Sequence, residues 1–147
     1  MRSTFNSQTL NLTQLFSVGR LTIPDYQRRY AWRVDVELED FWNDLKNVSK
    51  QDPYFMGVII LSEDGGRYEV VDGQQRLISL TLLGCAIARI ANEQRQQLVA
   101  DTINESILLV SDFEVGKKVP RISLRDSEDA QACLLYTSDA ADDSTEV

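Results

Sequence analysis

The spacing of apolar residues in the first third of the chain predicts two helices separated by a strand. Ser7 and Thr9 are candidate N-caps of a short amphipathic helix, and Gly19 is its stop signal. The run 21–23 is predicted to be extended because the proline that follows it restricts the preceding backbone. From Asp35, a further candidate N-cap, apolar residues recur at steps of three or four and predict a helix with one core-facing side. Those residues are Val34, Leu38, Phe41, Trp42, Leu45 and Val48.

The middle of the chain predicts a hairpin that leads into a long helix. Residues 54–61 form a nearly continuous apolar run, which predicts a strand buried on both faces. Gly57 within that run would let another backbone or a ligand come close. The turn 62–66 favours antiparallel pairing of this run with the next strand, 67–71. The helix after that strand is predicted to end at about Asn92, and its near lack of charge indicates burial.

The last part of the chain carries weaker signals. Residues 107–110 and 120–124 are weak strand or turn candidates, and 127–131 has the pattern of a helix start. The end of the chain, 133–147, resembles the translation of a transposon-derived sequencing adapter, so we expect it to be a non-native tail. Without that tail the formal charge changes from −8 to −4, and residues 1–132 are expected to be part of a longer protein.

Composition is that of one compact domain with an acidic balance. The chain has 147 residues, of which 43% are apolar, with 7 glycines and 3 prolines. A net charge of −8 disfavours general coating of nucleic acid, although a local basic groove remains compatible with it. The sequence contains neither an apolar run of membrane-spanning length nor a signal-peptide core, so we expect a cytoplasmic protein with no membrane partner.

The absence of histidine narrows the available chemistry. It excludes catalysis by an imidazole from this chain, including Ser-His triads and His-metal nuclease sites. Cys85 and Cys133 have no metal-binding spacing, and Cys85 is predicted to be a core residue. Asp40 and Asp44 lie four apart on a predicted helix, a spacing that can hold a metal but more often marks a solvated face. Catalysis would therefore rest on carboxylates, Arg, Lys, Gln, Tyr, Ser or a bound metal.

The pentapeptide DGQQR, residues 72–76, is predicted to be a strand-to-helix turn. The first N–H groups of a helix bind anions because they lack intrahelical acceptors and lie at the positive end of the dipole. Asp72 can cap those donors in the empty state, and Gly73 permits a positive φ or a close ligand. Arg76 opposes the dipole, which indicates an external negative charge such as phosphate. An ordinary Asp-Gly turn with a solvated arginine is the equally weighted alternative.

A second unusual stretch, IPDYQRRYAW, combines three aromatic residues with two arginines. Tyr26, Tyr30 and Trp32 could stack on a base while Arg28 or Arg29 meets phosphate, as in nucleotide and single-strand recognition. The alternative is that the aromatic residues anchor the core and the arginines are solvated. The core interpretation is favoured for the aromatic residues taken singly, and the two interpretations are more evenly balanced for the arginine pair.

These motifs together resemble one known family. IPDYQRRYAW, then YFMGVIIL, then YEVVDGQQRLISL, in that order and spacing, is similar to the N-terminal domain of GmrSD-type modification-dependent restriction enzymes. The resemblance covers residues 8–131, and the pairing of the Tyr-Gln-Arg-x-Tyr-x-Trp box with DGQQR is specific. It implies a ParB/sulfiredoxin-like α+β fold, with a small mixed or antiparallel sheet packed with helices and truncated here at the C-terminus.

The resemblance also implies a function. The domain would bind and hydrolyse a nucleoside triphosphate with Mg²⁺, with GTP, UTP or CTP favoured over ATP, as the sensor of a phage-defence DNA restriction system. DNA would be engaged through the full-length protein and cleaved by a separate C-terminal His-Asn-His-type nuclease domain, which this histidine-free chain lacks. A non-catalytic ParB-like module that binds DNA or protein, with its arginines on backbone phosphate, is the alternative function.

Site roles follow from the same resemblance. Asp72 would orient water or Mg²⁺, and Gln74 and Gln75 would hold the phosphates or the attacking water. Arg76 and Arg28 would neutralise charge that develops on the transferred phosphoryl group.

The resemblance extends to further ligand-binding residues. Gln27 would orient the arginines. The family's Thr-Thr after DGQQRL is Ile78-Ser79 here, which leaves only Ser79 for a hydroxyl role. The cofactor-binding set implied by the resemblance is Gly73, Gln74, Gln27, Tyr26, Arg29 and Ser79.

Overall fold

The computed structural model of the chain describes residues 5–23, 32–49, 51–65, 67–114 and 116–124. Within these residues, helices pack against a mixed four-stranded sheet, and two further strands form a separate ladder. The helices are α1 (Leu12–Phe16), α2 (Glu39–Lys46), α3 (Gln74–Glu93) and α4 (Gln97–Ile103), with π-helical turns at Val34–Leu38 and Asn104–Leu108. The strands are β1 (Leu21–Ile23), β2 (Ile60–Asp64), β3 (Arg67–Asp72), β4 (Leu109–Asp112), β5 (Lys117–Pro120) and β6 (Ile122–Leu124).

The four-stranded sheet has the order β2-β3-β1-β6. β2 and β3 form the antiparallel hairpin that the sequence predicts, with Leu61 opposite Val70. β1 lies parallel to β3 on one side and to β6 on the other, with Thr22 opposite Glu69 and Ser123 respectively. The predicted α+β class with a small mixed sheet is therefore confirmed.

The first helix begins later than its predicted caps. Asn11, and not Ser7 or Thr9, is the N-cap: its side-chain oxygen accepts the Gln14 N–H at 2.9 Å. The Gln14 side chain in turn accepts the Asn11 N–H at 2.9 Å, so the two residues form a reciprocal capping box. Such a box satisfies two backbone donors at once, which explains why the helix starts there.

The predicted helix from Asp35 differs in its first turn. Its N-cap is Arg33 without a side-chain cap, and the turn Val34–Leu38 is π-helical. A π-helical turn holds more residues than an α-helical turn, so it rotates the subsequent residues away from the 3.6-residue period. Phe41 is buried and meets the Trp32 ring edge-on at 5.4 Å, whereas Trp42 is 48% exposed. The predicted apolar face therefore lies only partly in the core, while Trp32 packs against it as predicted.

The apolar run 54–61 is a strand only from Ile60 onward. Gly57 has a φ of 109°, outside the β region, so the backbone before Ile60 does not join the ladder. Phe55 is 76% exposed and Val58 is 65% exposed. The prediction of a strand buried on both faces is therefore wrong for residues 54–59.

Helix α3 is the central buried helix, as its lack of charge predicts. Residues 77–81 of this helix are buried at successive positions, because the helix lies between the sheet and the segments that precede β2 and follow α4. Gly84 faces Leu108 and Ile107, where a side chain would crowd the contact. Cys85 is half-buried on this helix. The core cluster consists of Phe16, Leu21, Ile23, Phe41, Val70, Leu77, Ile78, Leu80 and Ile122.

The described helices are all too short or too polar to cross a membrane. The weak strand signals at 107–110 and 120–124 correspond to β4 and β6, each displaced by about two residues at its start. The predicted helix start at 127–131 and the predicted tail 133–147 lie outside the described residues and stay predictions.

Arg121 connects three parts of the fold that are distant in sequence. Its guanidinium donates to the carbonyl of Phe16 at the end of α1 and, at 2.6 Å, to the carbonyl of Glu105. Its backbone N–H donates to Leu108 O at 2.9 Å, and its carbonyl accepts the Leu21 N–H at 2.7 Å. Burial lowers the pKa of Arg121, but the group stays charged at neutral pH because an arginine titrates far above it.

We expect Arg121→Ala to lower the free energy of unfolding by about 2 kcal/mol, because two carbonyls lose a charged donor. Lys118→Ala is the matched control, since Lys118 forms a 3.8 Å exposed ion pair with the side chain of the same Glu105. That control should change stability by no more than about 0.5 kcal/mol. Urea unfolding of both variants measures the difference, and equal effects would contradict a bracing role for Arg121.

Candidate functional site

The junction between β3 and α3 is a sharp strand-to-helix turn at Gly73. This residue is the N-cap of α3, and its φ of 97° and ψ of 13° lie in the left-handed region. Intrahelical bonding begins with the Leu77 N–H, which donates to Gly73 O at 3.2 Å. The N–H groups before Leu77 therefore have no intrahelical acceptor and lie at the positive end of the helix dipole. The positive φ predicted for Gly73 is confirmed.

Asp72 bonds to the turn in a different way from the predicted cap. Its Oδ1 accepts the N–H of Gly73 at 3.0 Å, and the N-cap Gly73 has no side chain to cap the N–H groups further into α3. The predicted capping of those donors by Asp72 is therefore wrong, because a carboxylate immediately before the glycine reaches the next N–H first. The Asp72 side chain is exposed at the end of its strand and can face a ligand.

Gly73 also lies against the segment that precedes β2. A Cβ built on Gly73 would lie 2.9 Å from Ile59 Cγ1 and 3.4 Å from Ile59 Cα. Real Cβ atoms do not approach other carbon atoms so closely. The DGQQR turn therefore requires glycine at this position for two reasons, the backbone angle and the contact with Ile59.

The two glutamines and Ser79 bond to the backbone around the turn. The side-chain amide of Gln74 donates to Val71 O at 2.9 Å, which ties the helix start to the end of β3. The hydroxyl of Ser79 donates to the carbonyl of Gln75 at 2.7 Å, and Ser79 is buried. In this structure the Ser79 hydroxyl thus lies inside the fold, one helical turn below the residue that it bonds. Its role toward a ligand stays a prediction.

Arg76 lies across the backbone of Gly57. A Cβ built on Gly57 would lie 2.9 Å from Arg76 Cζ and 3.3 Å from Arg76 Nη2, and still closer to Nη1. Gly57 therefore leaves room for a guanidinium, whereas the sequence predicted the approach of another backbone or a ligand. Within the described ranges no carboxylate forms an ion pair with Arg76, and its Nε is buried without a hydrogen-bond partner. Arg76 is half-buried with an enclosed Nε, and the choice between a phosphate-binding arginine and an ordinary turn stays a prediction.

Tyr54 is the polar neighbour of this guanidinium. Partial burial, followed by the hydrogen bond to the Asp44 carboxylate, raises the pKa of the Tyr54 hydroxyl, and the positive charge of Arg76 opposes that rise. The hydroxyl is therefore protonated at neutral pH. Asp44 lies on α2, so three separate segments meet at the start of α3. Sequence reasoning singled out Asp44 only as a weak metal ligand and missed Tyr54, because neither position carries a local signal of this contact.

Among residues 5–23, 32–49, 51–65, 67–114 and 116–124, no three acidic or cysteine side chains cluster as a metal site would require. The Asp40 and Asp44 pair is not such a site in this part of the chain. Four predicted site residues, Tyr26, Gln27, Arg28 and Arg29, lie outside the described residues, so their roles stay predictions.

Comparison with known proteins agrees with the motifs. The family model described as "GmrSD restriction endonuclease, N-terminal domain" matches residues 11–146. The match confirms the resemblance inferred from the IPDYQRRYAW and DGQQR motifs. No curated protein matches the chain.

We expect Gly73→Ala to lower the free energy of unfolding by about 3 kcal/mol, because the new Cβ adds a clash with Ile59 to the strain of a positive φ. Gly65→Ala isolates the strain, since Gly65 has a φ of 57° and open space around its missing Cβ. This control should cost about 1 kcal/mol. Thermal or urea unfolding compares the two, and equal costs would show that the contact with Ile59 contributes nothing.

Proposed function

Because the chain belongs to the family of GmrSD restriction endonuclease N-terminal domains, we propose that it is the nucleotide-binding sensor domain of a DNA restriction system. Family membership indicates a part in such a system. The finer proposal is that a nucleoside triphosphate binds at the DGQQR turn and is hydrolysed there with Mg²⁺. It includes a ParB/sulfiredoxin-like origin for the sheet and a separate nuclease domain that cuts the DNA.

One observation carries the proposal: within the described residues, Arg76 is a cation without a carboxylate partner at the positive end of a helix. The guanidinium and the helix dipole repel each other in the empty protein, so this arrangement costs stability unless an anion joins it. The triphosphate of a nucleotide provides that anion, since guanidinium groups bind phosphate oxygens in pairs and helix N-termini bind them through N–H groups. The local positive charge contrasts with the acidic chain as a whole, whose formal charge is −8.

The residues of the turn would divide the work of binding and hydrolysis. Asp72, exposed at the end of β3, would orient a water molecule or hold Mg²⁺. Gln74 and Gln75 would hold the phosphates or the attacking water, and Arg76 would stabilise charge on the transferred phosphoryl group. Arg28 would assist Arg76. Mg²⁺ would supply charge neutralisation between neighbouring phosphates, which is its usual role in phosphoryl transfer.

The first test is a parallel titration with nucleotides and DNA. The chain should bind at least one of GTP, UTP, CTP and ATP in the presence of Mg²⁺, with the first three favoured over ATP. Plain and modified duplex DNA serve as the competing ligands, because a ParB-like DNA-binding module would bind duplex through backbone phosphate. Binding to DNA alone, unaffected by any nucleotide, would overturn the sensor proposal in favour of that module.

The second test concerns Arg76. We expect Arg76→Ala to weaken binding of the Mg²⁺-nucleotide by about 1.5 to 3 kcal/mol, the range for hydrogen bonds to charged groups. Arg89→Ala is the control, because Arg89 lies on the same helix in an exposed pair with Glu93 at 3.2 Å. Thermal melts with and without nucleotide measure the ligand-induced stabilisation, which should shrink only in Arg76→Ala. Equal stabilisation in the two variants would remove Arg76 from the phosphate site.

A further inference from the structure

We propose that Gly57 and Tyr54 are positioning residues for Arg76, forming a platform that holds its guanidinium at the DGQQR turn. The platform is the backbone of Gly57 together with the side chain of Tyr54. This inference rests on the proposed nucleotide site and extends it from α3 to the segment that precedes β2. Neither residue would contact the nucleotide; both would act through Arg76.

The contact between Gly57 and Arg76 is steric and specific to glycine. Any Cβ at position 57 would overlap the guanidinium, with Cζ at 2.9 Å and Nη1 closer still. The backbone there also has a φ of 109°, which a side chain would disfavour. Gly57 therefore combines two features that only glycine allows, and both serve to bring the backbone against Arg76. An arginine side chain has several rotatable bonds, so a flat surface beneath its planar head restricts the conformations that it can adopt.

Tyr54 supplies the second side of the platform. It packs against the hydrophobic core, three residues before Gly57, so its position is fixed by burial. Burial and the Asp44 carboxylate on α2 raise the pKa of the Tyr54 hydroxyl and the charge of Arg76 lowers it, so both charged groups lie near Tyr54. Within the described residues no ion pair joins Asp44 to the guanidinium. The arrangement anchors the platform to α2 and leaves the charge of Arg76 available for an anion.

The buried Nε of Arg76 agrees with this division of roles. It has no hydrogen-bond partner within the described part of the chain, so burial at the platform is not compensated by a protein acceptor. The Nε of Arg121 is also buried without a partner, but both terminal nitrogens of Arg121 donate to carbonyls, those of Phe16 and Glu105. Within the described residues Arg76 has an enclosed Nε and no carboxylate partner, which is the state expected of a residue prepared for an external phosphate.

A double-mutant cycle on nucleotide binding tests the proposal. Gly57→Ala should weaken binding of the preferred Mg²⁺-nucleotide by about 10-fold in the otherwise unchanged chain, and by no more than about 2-fold in Arg76→Ala. The coupling is expected because the added Cβ would displace the guanidinium, whereas the strain of the positive φ at position 57 is the same in both backgrounds. Gly65→Ala, with its positive φ and open surroundings, is the control and should leave affinity unchanged in both backgrounds. Equal losses from Gly57→Ala in both backgrounds would overturn the platform.

Tyr54→Phe keeps the test valid if Gly57→Ala fails to fold, because it removes one hydroxyl and retains the buried ring. It should weaken nucleotide binding by about 3-fold or more, and it should have no effect in Arg76→Ala. Tyr68→Phe, on the half-buried face of β3, is the matched control and should not change affinity. Unchanged affinity in Tyr54→Phe, or a loss that persists without Arg76, would overturn the role of Tyr54.

Failure of the proposed function and failure of the platform would give different experimental results. If the unaltered chain binds none of the four nucleotides, the proposed function fails and the platform has no phosphate-binding arginine to position. If the unaltered chain binds nucleotide and Arg76→Ala abolishes that binding while Gly57→Ala and Tyr54→Phe do not, only the platform fails.

Discussion

The close packing of residues 53–59 against the start of α3 is the constraint on which the rest of the site depends. Two glycines make this approach possible: Gly73 admits Ile59, and Gly57 admits the guanidinium of Arg76. Each lies at a positive φ, so each contact is tied to a backbone conformation that other residues disfavour. The two contacts run in opposite directions: a Cβ at position 73 would push against Ile59, and a Cβ at position 57 would displace the guanidinium of Arg76. The turn, the segment and the arginine therefore form one unit.

The charges around this unit favour the binding of an anion. A cation in the first turn of a helix is repelled by the dipole, and burial of part of its side chain adds a desolvation cost. The fold does not offset these terms with a carboxylate within the described residues, since no ion pair joins Arg76 to one and Asp72 accepts the Gly73 N–H. This arrangement costs stability in the empty protein. It becomes favourable once an anion occupies the turn.

Pairing within the sheet holds the site in place although the strands are short. β1 has only three residues, yet it pairs in parallel with both β3 and β6 and places Leu21 and Ile23 in the core. Arg121 connects β6 to the end of α1 and to the turn before β4. β3, which carries DGQQR at its end, is thus held between a hairpin partner and a central strand. A rigid strand end is a suitable base for a site whose contacts depend on fractions of an ångström.

The sequence by itself determined the local features: the β2–β3 hairpin, the glycine turn and the burial of α3. Each rests on periodicity, turn chemistry or the absence of charge among neighbouring residues, so a single segment carries the whole signal. Only the tertiary structure decided that β1 lies between β3 and β6, and that Arg76 rests on Gly57 beside Tyr54. Pairing between distant segments depends on packing and chain topology, and neither segment carries a periodic residue pattern that predicts it. Gly57 within the apolar run predicted the close approach of another group. The sequence did not identify that group as Arg76, because the contact depends on how the chain folds in three dimensions.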